Sequence, residues 1–80
     1  DTHQALDPTH QQILLALLRR ESVALALKTD HLMPSMVADT INRAFLDEIG
    51  DNVLECDGDT ITLVEDYRDD LLEILGVVDQ

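Results

Sequence analysis

The chain has no tryptophan, one phenylalanine and one tyrosine, so its core must be built from Leu, Ile and Val. Its single cysteine, Cys56, excludes an internal disulfide and the multi-cysteine zinc motifs. Free cysteine ranks among the most buried residue types, so Cys56 is expected to be a small core hydrophobe in a reducing, cytoplasmic setting. No apolar run is long enough to span a membrane, and the first residues do not read as a basic-apolar-small leader, so direct membrane insertion is not expected. The chain begins at Asp1 rather than Met, and is expected to be a single domain excised from a longer multidomain protein, ordered over about 6–76.

Positive charge is also scarce. Five Lys and Arg stand against seventeen Asp and Glu, for a net charge of −12. The imbalance is lopsided: residues 1–40 hold five acidic and three basic residues (−2), residues 41–80 twelve and two (−10). Phosphate backbones are bound through Lys and Arg. The second half therefore repels nucleic acid and anionic membranes, and attracts cations or a basic partner surface. A solvated, solubilising face is the plain alternative.

What is present fits one small core. Eighty residues leave no room for two, and an apolar fraction of 45% is ordinary for a globular chain. Asp7-Pro8 predicts a helix start, with Asp7 capping free amides and Pro8 at the first helical position. The stripe His10, Ile13, Leu14, Leu17, Leu18 extends that helix over about 8–19, where Arg19 and Arg20 suit its C-terminal dipole. Ser22 is the next cap candidate, before a short apolar helix ending near Thr29. Pro34 opens a helix over 34–49, with Val37, Ala38, Ile41, Ala44, Phe45 and Ile49 on its apolar face, Glu48 at the edge of that face and Gly50 as its stop. An Asp39–Arg43–Asp47 ladder lines its polar face.

Residues 54–64, LECDGDTITLV, read as two strands around an acidic tip. Asp57-Gly58 predicts a type I′ turn that pairs Leu54 with Ile61 and Glu55 with Thr60. Glu65, Asp66, Asp69 and Asp70 then lead into a helix over about 66–75, with the stripe Tyr67, Leu71, Ile74, Leu75, Val78 and Gly76 as its stop. The class is α+β: a small winged-helix-like domain of three helices, a β-hairpin at about 53–64 and a C-terminal helix. Leu15, Leu46, Leu72, Val77 and Val78 fall off or past the stripes and predict a docking or dimer surface.

DNA reading would need outward Arg, Lys, Asn or Gln on the third helix and cations on the wing. Helix 3 offers Arg43 between carboxylates, and the wing offers Glu55, Asp57 and Asp59, so no nucleic-acid partner is expected. An EF-hand centred on Gly58 would place Val53 and Val64 at ligand positions, which excludes it. A looser divalent-cation site could draw on Glu55, Asp57, Asp59, Glu65, Asp66, Asp69 and Asp70, whose turn and cap roles explain each residue equally well. His3, His10, His31 and Cys56 lack zinc-ligand spacing, and His10 reads as a half-buried structural histidine. Ser22, Ser35 and Cys56 have no nucleophile motif around them, so no enzyme is expected.

L-M-P at 32–34, I-N at 41–42, Phe45, I-G-D-N-V-L-E at 49–55 and D-G-D-T-I at 57–61 together resemble the TerB-C domain. The upstream helices fit it too, and the likeness covers about residues 6–75. TerB-C domains lie at the C-terminal end of multidomain TerB-family proteins of bacterial tellurite-resistance and stress systems. The resemblance implies company with a TerB core, whose family is associated with metal or stress sensing at the inner membrane surface. It implies no established enzymatic activity and no cofactor beyond a divalent cation, chelated through Glu55, Asp57 and Asp59, and less directly Asp47 and Asp51. The expectation is a non-catalytic accessory domain whose partner is another protein, a neighbouring domain of the same chain or a second copy in a homodimer.

Overall fold

Two prolines and two glycines frame the helices as the sequence predicts. The structure, a computed structural model, describes residues 6–76. Helix α1 (Pro8–Leu18) and helix α3 (Pro34–Ile49) each begin on proline, whose fixed φ suits the first helical position. Gly50 ends α3 and Gly76 ends α4 (Arg68–Leu75), with φ of 83° and 68°, in the left-handed region that glycine enters without a Cβ penalty. Between them lie the short α2 (Ala24–Thr29) and the antiparallel strands β1 (Leu54–Asp57) and β2 (Thr60–Leu63); a 3-10 turn (Glu65–Tyr67) then leads into α4. This α+β order is winged-helix-like.

α1, α3, α4 and the hairpin close on one core, in which Leu14, Leu18, Ile41, Phe45, Leu54 and Leu71 are among the fully buried side chains. The expected faces of α1 and α3 are the buried ones, with Val37, Ala38, Ile41 and Phe45 inward on α3. The surface pair of α3 forms too, with Arg43 Nε 3.2 Å from Asp39 Oδ2. His10 is half-buried, as its place on the α1 stripe predicts. Asp7, however, does not cap the helix amides. Its carboxylate bonds the His10 ring instead, three residues on.

The α1–α2 and α2–α3 junctions are closed without glycine. Arg20 (φ 60°) and His31 (φ 56°) both adopt left-handed backbone. At each, the next amide reaches five residues back: Glu21 N–H to the Ala16 carbonyl and Leu32 N–H to the Leu27 carbonyl, both at 2.8 Å. These are Schellman closures, and Leu27 and Leu32 supply the apolar contact positions that accompany the second.

The hairpin differs from expectation by one residue in its turn. The pairs are Leu54↔Leu63, Glu55↔Thr62, Cys56↔Ile61 and Asp57↔Thr60, so Gly58-Asp59 forms the turn rather than Asp57-Gly58. Gly58 has φ of 63° and Asp59 does not share the left-handed region, which matches a type II′ turn with glycine first. Leu54 and Ile61 still share the inner face, because moving the turn by one residue shifts the pairing by two. Cys56 lies on that face but is exposed, against expectation. Every residue from Glu55 to Thr60 is exposed, so the tip extends past the cover of the helices.

In α4 the predicted stripe faces the core, with Leu71 buried and Tyr67, Ile74 and Leu75 packed against it, and the buried arc is wider than expected. Arg68, Leu71 and Leu72 are buried and Leu75 half-buried, a stripe at i, i+3, i+4 and i+7. With Arg68 only 5% exposed, the buried arc widens to take in Leu72, which therefore does not form an outer surface.

Candidate functional site

The acidic candidates occupy three exposed places. Glu55 and Asp57 project from the outer face of β1, opposite Thr62 and Thr60, and Asp59 sits in the turn. Glu65 and Asp66 form the 3-10 turn, where Arg20 Nη2 approaches Glu65 Oε1 to 3.9 Å. Asp69 and Asp70 lie in the first turn of α4, where they complement the helix dipole. Asp47 is exposed on α3. Among the described residues, no group of three or more His, Cys, Asp or Glu comes together in a way that could hold a metal ion. His3 lies outside the described residues.

Asp51 is engaged elsewhere. It accepts a hydrogen bond from the Tyr67 hydroxyl at 2.8 Å and one from the Asn52 amide at 2.8 Å. These donors, the tyrosine first, hold its carboxyl below the ordinary 3.8. The same bond, with the negative charge of Asp51 beside it, raises the Tyr67 phenol above its ordinary 10.0. The pair ties the loop after α3 to the turn before α4.

Asn42 is the second tie, and the sequence reading did not single out its role. From α3 its Oδ1 accepts the amides of Val53 (2.9 Å) and Leu54 (2.8 Å), and its Nδ2 donates to the Leu54 carbonyl (3.1 Å). The available signal was a polar residue directly beside Ile41 on the buried side of an amphipathic helix.

The described surface holds two features that could meet a macromolecule. One is apolar. Leu25 on α2 is 75% exposed, Met33 before α3 61% and Met36 in its first turn 64%. Met33 and Met36 are three residues apart at the head of α3 and share its outer side. Of the residues predicted for a docking surface, Leu46 is half exposed, Leu15 and Leu72 pack inward, and Val77 and Val78 lie outside the described residues. The other feature is an open groove of about 470 Å³ between the end of α3 and α4, lined by Glu48, Ile49, Asp70, Glu73 and Ile74.

Two threonine hydroxyls and the thiol donate to backbone. Thr40 donates to the Met36 carbonyl, Thr62 to that of Glu55 and Cys56 to that of Gly58. Among the described residues no helix is long and apolar enough to cross a membrane.

No curated protein and no solved structure matches the chain. The family model of the TerB-C domain matches residues 1–72 of the 80, and the chain belongs to that tellurite-resistance-related family.

Proposed function

We propose that the chain is a non-catalytic accessory domain of a bacterial tellurite-resistance or stress-response protein, docking onto a neighbouring domain or another protein. The observation that carries this reading is the exposure of Leu25 in the first turn of α2 and of Met33 and Met36 at the start of α3, outside a core that is already complete without them. Methionine adapts its shape to irregular partner surfaces, so two exposed methionines at one helix start suit a contact face. The outward face of α3 supports protein contact over DNA reading, since Arg43 is held by Asp39 and Asp47 lies one turn on. The backbone-directed Cys56 thiol and Thr40 and Thr62 hydroxyls support a non-catalytic role, because these three donate to carbonyls and not to a base.

The test joins the 80-residue chain with its neighbouring domain supplied in trans, read by sedimentation and pull-down. Binding or self-association that Leu25→Ser with Met36→Ser abolishes supports the reading. A strictly monomeric chain that captures no neighbouring domain rejects it.

A further inference from the structure

The outer edge of β2 holds two backbone groups without a partner in a nearly buried place. The Val64 amide bonds the Val53 carbonyl, so the pairs Glu55–Thr62 and Asp57–Thr60 exchange hydrogen bonds across the hairpin. Ile61, between them, therefore turns its N–H and C=O away from β1. The residue is only 5% exposed, yet neither group meets a hydrogen-bond partner among the described residues. Buried backbone groups are nearly always paired, because an unpaired one loses its hydration and gains nothing in return.

Opposite this edge lies the link between α1 and α2. Glu21, Ser22 and Val23 share a groove of about 230 Å³ with Thr60 and Ile61, in company with Leu27. Further along, Arg20 Nη2 approaches Glu65 Oε1 just past the end of β2, so the link runs antiparallel to the strand. Ser22 has the complementary need. It is exposed, and its own N–H and C=O are unpaired among the described residues. Its neighbours are engaged: the Glu21 amide donates to Ala16, and the Val23 carbonyl accepts from Leu27. An antiparallel rung requires one residue on each strand that offers both groups to the other, and Ser22 and Ile61 are such residues.

We propose that the α1–α2 link is a strap that closes this groove, with Ser22 and Ile61 exchanging two backbone hydrogen bonds as the first rung of a third, antiparallel strand. The structure holds the strap open, and the closed form is the populated one in solution. Closure carries α2 with it, since Val23 before that helix and Leu27 within it are the buried residues that anchor it. The strap stands without the docking reading. Where that reading holds, the strap sets how Leu25 is presented, because Leu25 lies in the first turn of α2.

NMR on the 80-residue chain labelled with 15N and 13C gives the test. Couplings through the two hydrogen bonds are expected, from the Ile61 nitrogen to the Ser22 carbonyl carbon and from the Ser22 nitrogen to that of Ile61. The Ile61 amide should exchange with deuterium no more than about tenfold faster than the Thr62 amide, which the ladder holds. Absence of both couplings overturns the strap, whatever the exchange rate. Ser22→Pro removes one of the two donors. It should speed Ile61 exchange about tenfold and shift amides as far along α2 as Lys28 and Thr29. Ser22→Ala keeps the backbone groups and should do neither. Equal effects of the two variants would trace the change to the hydroxyl and reject the strap. If Ser22→Pro unfolds, the couplings in the unaltered chain still decide. Since no partner enters these measurements, failure of the strap leaves the docking reading standing, and failure of docking leaves the strap.

Discussion

Asn42 meets Leu54 as a neighbouring strand would, donating to its carbonyl at 3.1 Å and accepting its amide at 2.8 Å. The Val64 amide bonds the Val53 carbonyl across the hairpin, so residues 53, 55 and 57 turn inward to β2 and Leu54 turns its backbone groups outward. One side chain of α3 thereby occupies the edge of β1. Asn42→Ala should lower stability by about 2–3 kcal/mol, since it strands two amides and a carbonyl. Asn42→Asp keeps the acceptor but sets an oxygen against the Leu54 carbonyl, so it should also destabilise. Urea denaturation of the three chains measures the order; a harmless Asn42→Ala would show that water replaces the side chain freely.

Tyr67 and Asp51 predict a stability plateau with two edges. Asp51 has a lowered folded value, so its contribution is present above the ordinary 3.8 and lost as pH falls through that lowered value. Tyr67 has a raised folded value, so its contribution is present below the ordinary 10.0 and lost as pH rises through that raised value. Tyr67→Phe should lower the urea midpoint near neutral pH and converge with the parent chain at both extremes. The pair is solvent-exposed, so the effect should be small. A constant offset at every pH would count against the hydrogen bond as its source.

Arg20 and His31 occupy positions that glycine fills more cheaply. Arg20→Gly and His31→Gly should each stabilise the chain by about 0.5–1 kcal/mol, because the left-handed backbone penalises a Cβ. Gly50→Ala should cost about 1 kcal/mol by the same argument in reverse. A Cβ at Gly50 would meet nothing within 4 Å, so that loss would be conformational alone. Thermal melts of the three variants give the signs directly.

Cys56 should behave as an accessible thiol. Its reaction with a thiol-specific reagent in native buffer should fall within about threefold of the rate in urea. Strong protection in the native chain would contradict its exposed position.

The elements were legible where single residues have one physical use. Pro34 and Gly50 can hardly serve elsewhere than at the two ends of α3, and the periodicity between them names its buried face. Gly58 was less decisive, since glycine fits a central position of either primed hairpin turn, and the choice moved the turn by one residue. Alternation placed Cys56 on the inner face, but no local pattern says how far the helices reach along that face. The α4 stripe was legible from Leu71, Ile74 and Leu75, but its periodicity did not reveal that the buried arc also takes in Arg68 and Leu72. The acidic candidates were legible as residues, but how they assemble depends on where three separate segments stop in space. Asn42 required knowing that α3 would lie against the outward groups of Leu54.

The hairpin tip from Glu55 to Thr60 is exposed throughout, while Asn42 secures the strand base at Val53 and Leu54. Lengthening the chain at Gly58-Asp59 would therefore leave the buried contacts intact, and the closure entropy of a longer loop grows only slowly with its length. The domain thus carries a permissive insertion point, where added sequence could extend its reach without rebuilding its interior.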